Sequence, residues 1–329
     1  MSGPASIAFE PDLPVDGEVI GRLAPSPTGR LHLGHARSFV AAWWHARAAG
    51  GRVALRSEDL DRTRCKPEYE DAFLRDLEWL GLTWDGPLLR QSDDLTPYTE
   101  ATDRLLAAGR AYACTCTRKD ILSAQSAPHA SGEELRYPGT CRGRWSDVAA
   151  AESTTGTPAG VRFAVGDAPV TYTDELAGPQ RHHPQAECGD FLLLRRDGVI
   201  SYQLAVVVDD ARQGVTEVLR GSDLLPSAAR QMLLQRDLDL PRPRQLHVGL
   251  VRDPEGRRLS KRDGDLELAE LRERGLEPDR LITWAARSLG APGDWSGGAA
   301  ELAATPCPAL PAEDVRLDPG TAFEGSLFD

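Results

Sequence analysis

The chain has 329 residues, enough for one large domain or two ordinary ones, and its 41% hydrophobic and 27% charged residues match a water-soluble globular protein. A net charge of −12 speaks against nucleic acid on global charge alone, yet the segment Pro241–Arg262, PRPRQLHVGLVRDPEGRRLSKR, is strongly basic and permits a cationic face on an acidic body. The longest apolar runs, such as YQLAVVV, are too short to span a bilayer. The opening MSGPASIAFEPDLPVDGE lacks the basic-then-apolar order of a secretory signal, so a cytoplasmic protein with no membrane partner is expected. Of the six cysteines, three fall within 114–141, which argues against a disulfide framework and for one local site.

Residues 1–17 read as a flexible lead. GEVIGRLA then reads as a strand, and residues 33–49 as a helix closed by Gly50-Gly51. RVALRSED reads as the next strand, with helices near 67–81 and 96–109. This β-α-β-α order over 18–109 predicts a parallel sheet flanked by helices. The pattern breaks at 110, and 110–190 reads as an insertion carrying the cysteine cluster and the short strands GVRFAV and PVTYTD. Alternation is expected to resume over 191–265 with strand DFLLLRR, helix YQLAVVVDDA, strand GVTEVLRG, helix 223–238 and strand QLHVGLV. Two amphipathic helices close a small subdomain over 266–290, and 291–329 reads as a loosely ordered tail. His182 and His183 in RHHPQ read as surface residues, and Cys65, Cys188 and Cys307 are assigned no role.

Two segments carry chemistry. In RLAPSPTGRLHLGH, Pro25 and Pro27 fix the backbone where the strand leaves the sheet, and Gly29 permits a tight turn. A helix then begins near residue 33, and its unpaired N–H groups attract anions. His32 and His35 share a face and can both donate to phosphate, while Gly34 leaves room for a flat ring against the backbone. This describes a nucleotide pocket at the carboxyl end of the first strand, although a bare H-x-x-H is more often two surface histidines. The second segment, GRRLSKRDG, is a basic loop whose Lys261 could close over a polyphosphate; alone, it would read as a solvated turn.

Together, the HxGH after APSPTG and the late LSK loop resemble the class I aminoacyl-tRNA synthetases, and RLAPSPTGRLHLGHAR with LRSEDLDRTR looks like their glutamyl branch. The resemblance runs from about Gly21 to Gly290. It implies a Rossmann-type parallel sheet, α/β in class, with a zinc-bearing insertion and a short C-terminal helical subdomain. It also implies that Arg22, Leu23, Ala24, Pro25 and Ser26 hold glutamate together with Glu58, Tyr202 and Arg220, Glu58 taking the ammonium. His32, Gly34 and His35 would form the ATP site, with His32, His35 and Lys261 catalytic; the loop reads RRLSKR in place of Lys-Met-Ser-Lys-Ser and keeps the second lysine. An arginine fork suits the substrate's carboxylates because it pairs with both oxygens.

The stretch after Lys261 leaves no room for an anticodon-binding domain, so the chain resembles the truncated glutamyl-queuosine tRNA(Asp) synthetases. That family activates L-glutamate with ATP and Mg²⁺, without needing tRNA, and transfers it to queuosine in the anticodon loop of tRNA(Asp). A glutamyl-tRNA synthetase acting on tRNA(Glu), or an inactive RNA-binding relative, are the alternatives. The basic segment and helix 223–238 are candidate RNA contacts, and a monomer is expected. Cys114, Cys116 and Cys141 have metal-ligand spacing, and the resemblance implies one structural Zn²⁺ completed by Tyr137; by chemistry alone His129 is the conventional competitor.

Overall fold

The computed structural model describes residues 5–12, 17–123, 135–257 and 267–317. Ile20–Leu23, Arg52–Ser57 and Leu89–Arg90 are parallel neighbours, with Ile20 opposite Arg52 and Arg56 opposite Leu89. Glu217–Gly221 and Arg244–Val248 form a second parallel pair. The two groups meet side by side: Thr216 N donates to Ile20 O at 2.9 Å, and Arg22 Nη1 donates to Leu219 O at 2.9 Å. Numbered along the chain, these five strands therefore lie in the spatial order 3-2-1-4-5, the doubly wound arrangement. Its topological switch falls between Ile20–Leu23 and Glu217–Gly221, so a crevice is expected at the carboxyl ends of those two strands.

Local sequence explains the elements. Helix Leu33–Ala48 buries Val40, Ala41, Trp43 and Trp44 against the sheet. It stops at Gly50, whose φ of +69° suits glycine, and Gly51 follows with Val19 O only 2.2 Å from where a Cβ would sit. Helices Pro67–Trp79, Thr96–Ala107 and Leu225–Asp237 each carry proline in the first turn, where its missing N–H costs nothing. Tyr202–Arg212 buries Leu204, Ala205, Val206 and Val207 in a second core with Tyr98, Phe163 and Leu233.

Several expectations are corrected. The strand expected at 190–196 is Leu192–Leu194, and it joins an antiparallel sheet with Ala111–Cys114 and Gly160–Phe163 rather than reopening the parallel one. Its continuous apolar run fits either sheet, and only the pairing decides. Residues 1–17, expected to be a flexible lead, include the strand Ile7–Ala8, parallel to Val170–Thr171, with Phe9 buried beside it. The expected loose tail is packed as far as it is described: Leu302, Leu310 and Leu317 are buried, and Val315–Arg316 pairs with Val251–Arg252. Helices Leu268–Glu273 and Pro278–Ser288 share the core of helix Leu33–Ala48. His182 is not a surface residue: its side chain is 14% exposed and stacks on Tyr172. No helix among the described residues is long and apolar enough to cross a membrane.

Candidate active site

A cavity of about 610 Å³ opens at the switch point. Arg22, Ala24, Pro25, Ser26, His32, Gly34, His35, Glu58, Tyr202 and Arg220 all line it, so residues nearly two hundred positions apart converge. Leu23 does not: its side chain lies wholly in the core, and only its backbone belongs to this segment. Lys261 and its loop lie outside the described residues.

The proline turn organises more than its own helix. Pro25 O accepts from Glu58 N at 3.0 Å, and Pro27 O accepts from Lys66 N at 3.0 Å. The turn therefore fixes the loop that follows the second strand, and with it Glu58. At the helix start, His32 is the cap: its Nδ1 accepts from Gly34 N at 3.1 Å, while His35 Nδ1 accepts from His32 N at 3.3 Å. The two rings lie 3.8 Å apart. A Cβ on Gly34 would sit 3.0 Å from His32 Cε1, so the flat ring for which Gly34 makes room is that of His32 itself.

A charge network runs from the cavity lining, at Arg22 and Glu58, into the interior at Arg56 and Asp210. Asp210 accepts from Arg56 Nη1 at 2.9 Å and lies 3.6 Å from Arg22 Nε. Glu58 meets Arg56 Nη2 at 3.3 Å and Ser26 Oγ at 3.4 Å, both long contacts. Burial lowers the pKa of Arg22, with Asp210 partly offsetting it. Burial also pushes on Arg56, but Asp210, Glu58 and Asp209 outweigh it and the net direction is up. Burial raises the Glu58 carboxyl above its ordinary value, against the pull of Arg56 and Arg22. On the neighbouring strand, Arg220 donates from Nη1 to Tyr202 Oη at 3.2 Å and from Nε to His247 Nε2 at 2.9 Å. The His247 ring rests in turn on Asp174, with Nδ1 2.6 Å from Oδ2.

Arg56, Asp210, His247 and Asp174 went unrecognised in the sequence. The available signal was charge within apolar strands or helices: Arg56 follows Val53 and Leu55, and Asp210 ends the apolar run of its helix. Such groups are buried only when paired.

The cysteine cluster is a second centre. The sulfurs of Cys114, Cys116 and Cys141 lie within 4.8 Å of one another, with Cys116 and Cys141 3.5 Å apart. Tyr137 Oη is 3.3 Å from Cys114 Sγ and 3.5 Å from Cys116 Sγ. Tetrahedral zinc, with Zn–S of about 2.3 Å, sets its sulfurs about 3.8 Å apart, so this donor set fits that ion. Burial works to raise the Cys141 thiol, but hydrogen bonds from Tyr137, Thr115 and Cys116 bring it down to about 7. His129 lies outside the described residues.

Over residues 18–293 the chain matches the family described as tRNA synthetases class I (E and Q), catalytic domain. It is 48% identical over 272 residues to the glutamyl-Q tRNA(Asp) synthetase of Symbiobacterium thermophilum, covering 80% of this chain and 84% of that one. It is 47% identical over 277 residues to the glutamyl-Q tRNA(Asp) synthetase of Geobacter sulfurreducens, covering 83% and 84%. Among solved structures it is similar to a glutamate tRNA ligase from Elizabethkingia meningosepticum in complex with its amino acid. There the TM-score is 0.79 at 27% identity, covering 93% of this chain and 68% of the other.

Proposed function

The chain belongs to the catalytic domains of the class I tRNA synthetases, in the glutamyl-Q tRNA(Asp) synthetase group, and on that premise we propose that it activates L-glutamate with ATP and transfers it to queuosine in tRNA(Asp). The observation that carries the first half is the pair of buried arginines, Arg22 and Arg220, on neighbouring strands that line one cavity, with Glu58 lining it from the end of the strand on the other side of Arg22. Two guanidinium groups and a carboxylate are the complement of an amino acid with two carboxylates and an ammonium. The second half rests on the names of relatives 42–48% identical to this chain.

Activation needs no protein base, because the attacking glutamate carboxylate is ionised at neutral pH. Its oxygen bonds to the α-phosphorus of ATP as the bond to the bridging oxygen breaks and pyrophosphate leaves. The protein's contribution is positioning and stabilisation of phosphate charge. His32 and His35, held at the helix N-terminus, contact the phosphates, and Lys261 meets the charge that develops on them. Glu58 holds the ammonium, Arg220 and Tyr202 the side-chain carboxylate, and Arg22 through Ser26 the rest of the amino acid. In the transfer step a hydroxyl of the modified base attacks the anhydride carbonyl carbon, and AMP leaves. Cys114, Cys116, Cys141 and Tyr137 would hold a Zn²⁺ that clips the insertion. Among the described residues the local apolar core there is small, with Ile121 buried beside the cluster, so a metal clip has a structural task to perform.

Glutamate-dependent pyrophosphate–ATP exchange without tRNA tests activation, and its absence would end the proposal. Labelled glutamate is then offered to queuosine-containing tRNA(Asp) and to tRNA(Glu). Acceptance by the first alone, abolished when periodate cleaves the base's diol, is the expected result; acceptance by tRNA(Glu) alone would establish the acceptor-end enzyme instead.

A further inference from the structure

We propose that Asp174 and His247 act as a buried positioning pair that sets the Arg220 guanidinium to read a carboxylate, making them determinants of glutamate selection over glutamine. The inference rests on the reading above, in which Arg220 meets the substrate's side-chain carboxylate.

Hydrogen-bond geometry fixes the chemistry of the pair. Arg220 can only donate, so His247 Nε2, 2.9 Å from Arg220 Nε, must present its lone pair. The ring proton then sits on Nδ1, where Asp174 Oδ2 accepts it at 2.6 Å. Asp174 is itself held in place: Oδ1 accepts from the backbone N–H groups of Leu176, Ala177 and His247 at 3.1, 2.8 and 3.2 Å. His247 has no exposed surface and Asp174 is 1% exposed, so water does not substitute for either contact. Burial, with Arg220 adding to it, lowers His247 to about 4 despite Asp174, which keeps the ring neutral near pH 7.

The consequence lies in what Arg220 does not touch. Arg22 and Arg56 share the carboxylate of Asp210. Among the described residues, Arg220 hydrogen-bonds only neutral partners: His247, Tyr202 and, at 3.4 Å, Gln245. Its orientation is fixed without a protein carboxylate in contact, so the ligand supplies one. Glutamine would bring an N–H₂ group against a donor-only guanidinium and leave both unsatisfied.

The decisive variant is Asp174→Asn. It is isosteric, and its amide oxygen can keep the backbone bonds that Oδ1 now accepts. Its N–H₂ then faces His247 Nδ1, which must become the acceptor. The ring proton moves to Nε2, and an N–H points at Arg220 Nε–H. The expected result is a rise in the glutamate KM of exchange by roughly 10- to 100-fold, the worth of a hydrogen bond to a charged group. The ATP KM should stay unchanged, kcat at saturating glutamate should be largely kept, and the preference for glutamate over glutamine should fall. Nitrogen-15 NMR of the imidazole should show the proton on Nδ1 in the native protein and on Nε2 in the variant. His247→Gln, whose amide oxygen can still accept from Arg220, should retain more selectivity than His247→Leu. A native ring protonated at Nε2 would overturn the proposal, as would a switched tautomer with unaltered glutamate KM and selectivity. Arg220→Lys separates the two levels: if it leaves the glutamate KM unchanged, the reading of Arg220 itself fails; if it raises KM while Asp174→Asn does not, only the positioning pair fails.

Discussion

Gly34→Ala tests whether the first turn of helix Leu33–Ala48 is built around the place of one histidine ring. The added Cβ would lie 3.0 Å from His32 Cε1 and 3.1 Å from Nδ1. Ordinary contact between such atoms begins near ~3.5 Å, so the ring must retreat by about 0.5 Å. The cap bond from Gly34 N to His32 Nδ1, now 3.1 Å, would stretch past useful length. Losing a cap costs about 1 kcal/mol, while replacing a helical glycine by alanine returns about the same. Stability should therefore barely move, with Tm within about 3 °C of the native value. Activity should not be spared, because a site tolerates displacements of about 0.5 Å at most. Pyrophosphate–ATP exchange should fall at least ~10-fold in kcat/KM for ATP. Calorimetry and exchange on the same preparation separate the two effects. Native exchange in a folded variant would refute the claim that the position of His32 matters to the nucleotide.

Three further outcomes are expected. Lys261→Ala should cut kcat of activation by roughly 10²-fold or more with little change in glutamate KM, in steady-state exchange; equal losses in both would deny it a role confined to the transition state. Cys141→Ser should lower zinc, measured by elemental analysis of the purified chain, well below one per molecule, and should speed proteolysis within 114–141; full zinc content would exclude Cys141 as a ligand. His247, facing Asp174, Arg220 and Arg22, is lowered by burial from 6.5 to about 4, so the unfolded chain takes up its proton first. Stability should then be complete above about pH 6.5 and decline by up to about 3 kcal/mol as pH falls to about 4, and urea melts of His247→Gln should lose that part of the slope.

The sequence was most legible where chemistry demands rare residue types at short spacing. APSPTG followed by His32, Gly34 and His35 marked the turn that lines the cavity, and the parallel strands and their helices followed from apolar periodicity. The cysteines were legible for the same reason, since thiols in C-x-C spacing have few other uses. Leu192–Leu194 was misplaced because a short apolar run suits any buried sheet, and strand pairing is a long-range property. Ile7–Ala8 and the segment around Leu310 and Leu317 were missed because polar, proline-rich neighbours dilute isolated apolar anchors. His247 and Asp174 stand 73 positions apart and carry no local pattern, so only the fold brings them together.

The network around Arg56 explains how one pocket can contain so much buried charge and still leave a group for the substrate. A buried arginine must be paired, and its attraction to carboxylates is indiscriminate. Asp210 takes the close contact, 2.9 Å from Arg56 Nη1, and Gln213 Oε1 takes another at 2.8 Å. Glu58 is left at 3.3 Å from Nη2, near enough to favour its ionised form and too far to be consumed. Burial pushes the Glu58 carboxyl toward protonation, and an arriving ammonium would push the other way. Glu58, the carboxylate proposed to meet the substrate's ammonium, is thus held more loosely by Arg56 than Asp210 is. Asp210 touches no ligand in this scheme, yet without it Arg56 would turn to Glu58 and compete directly with the amino group of glutamate.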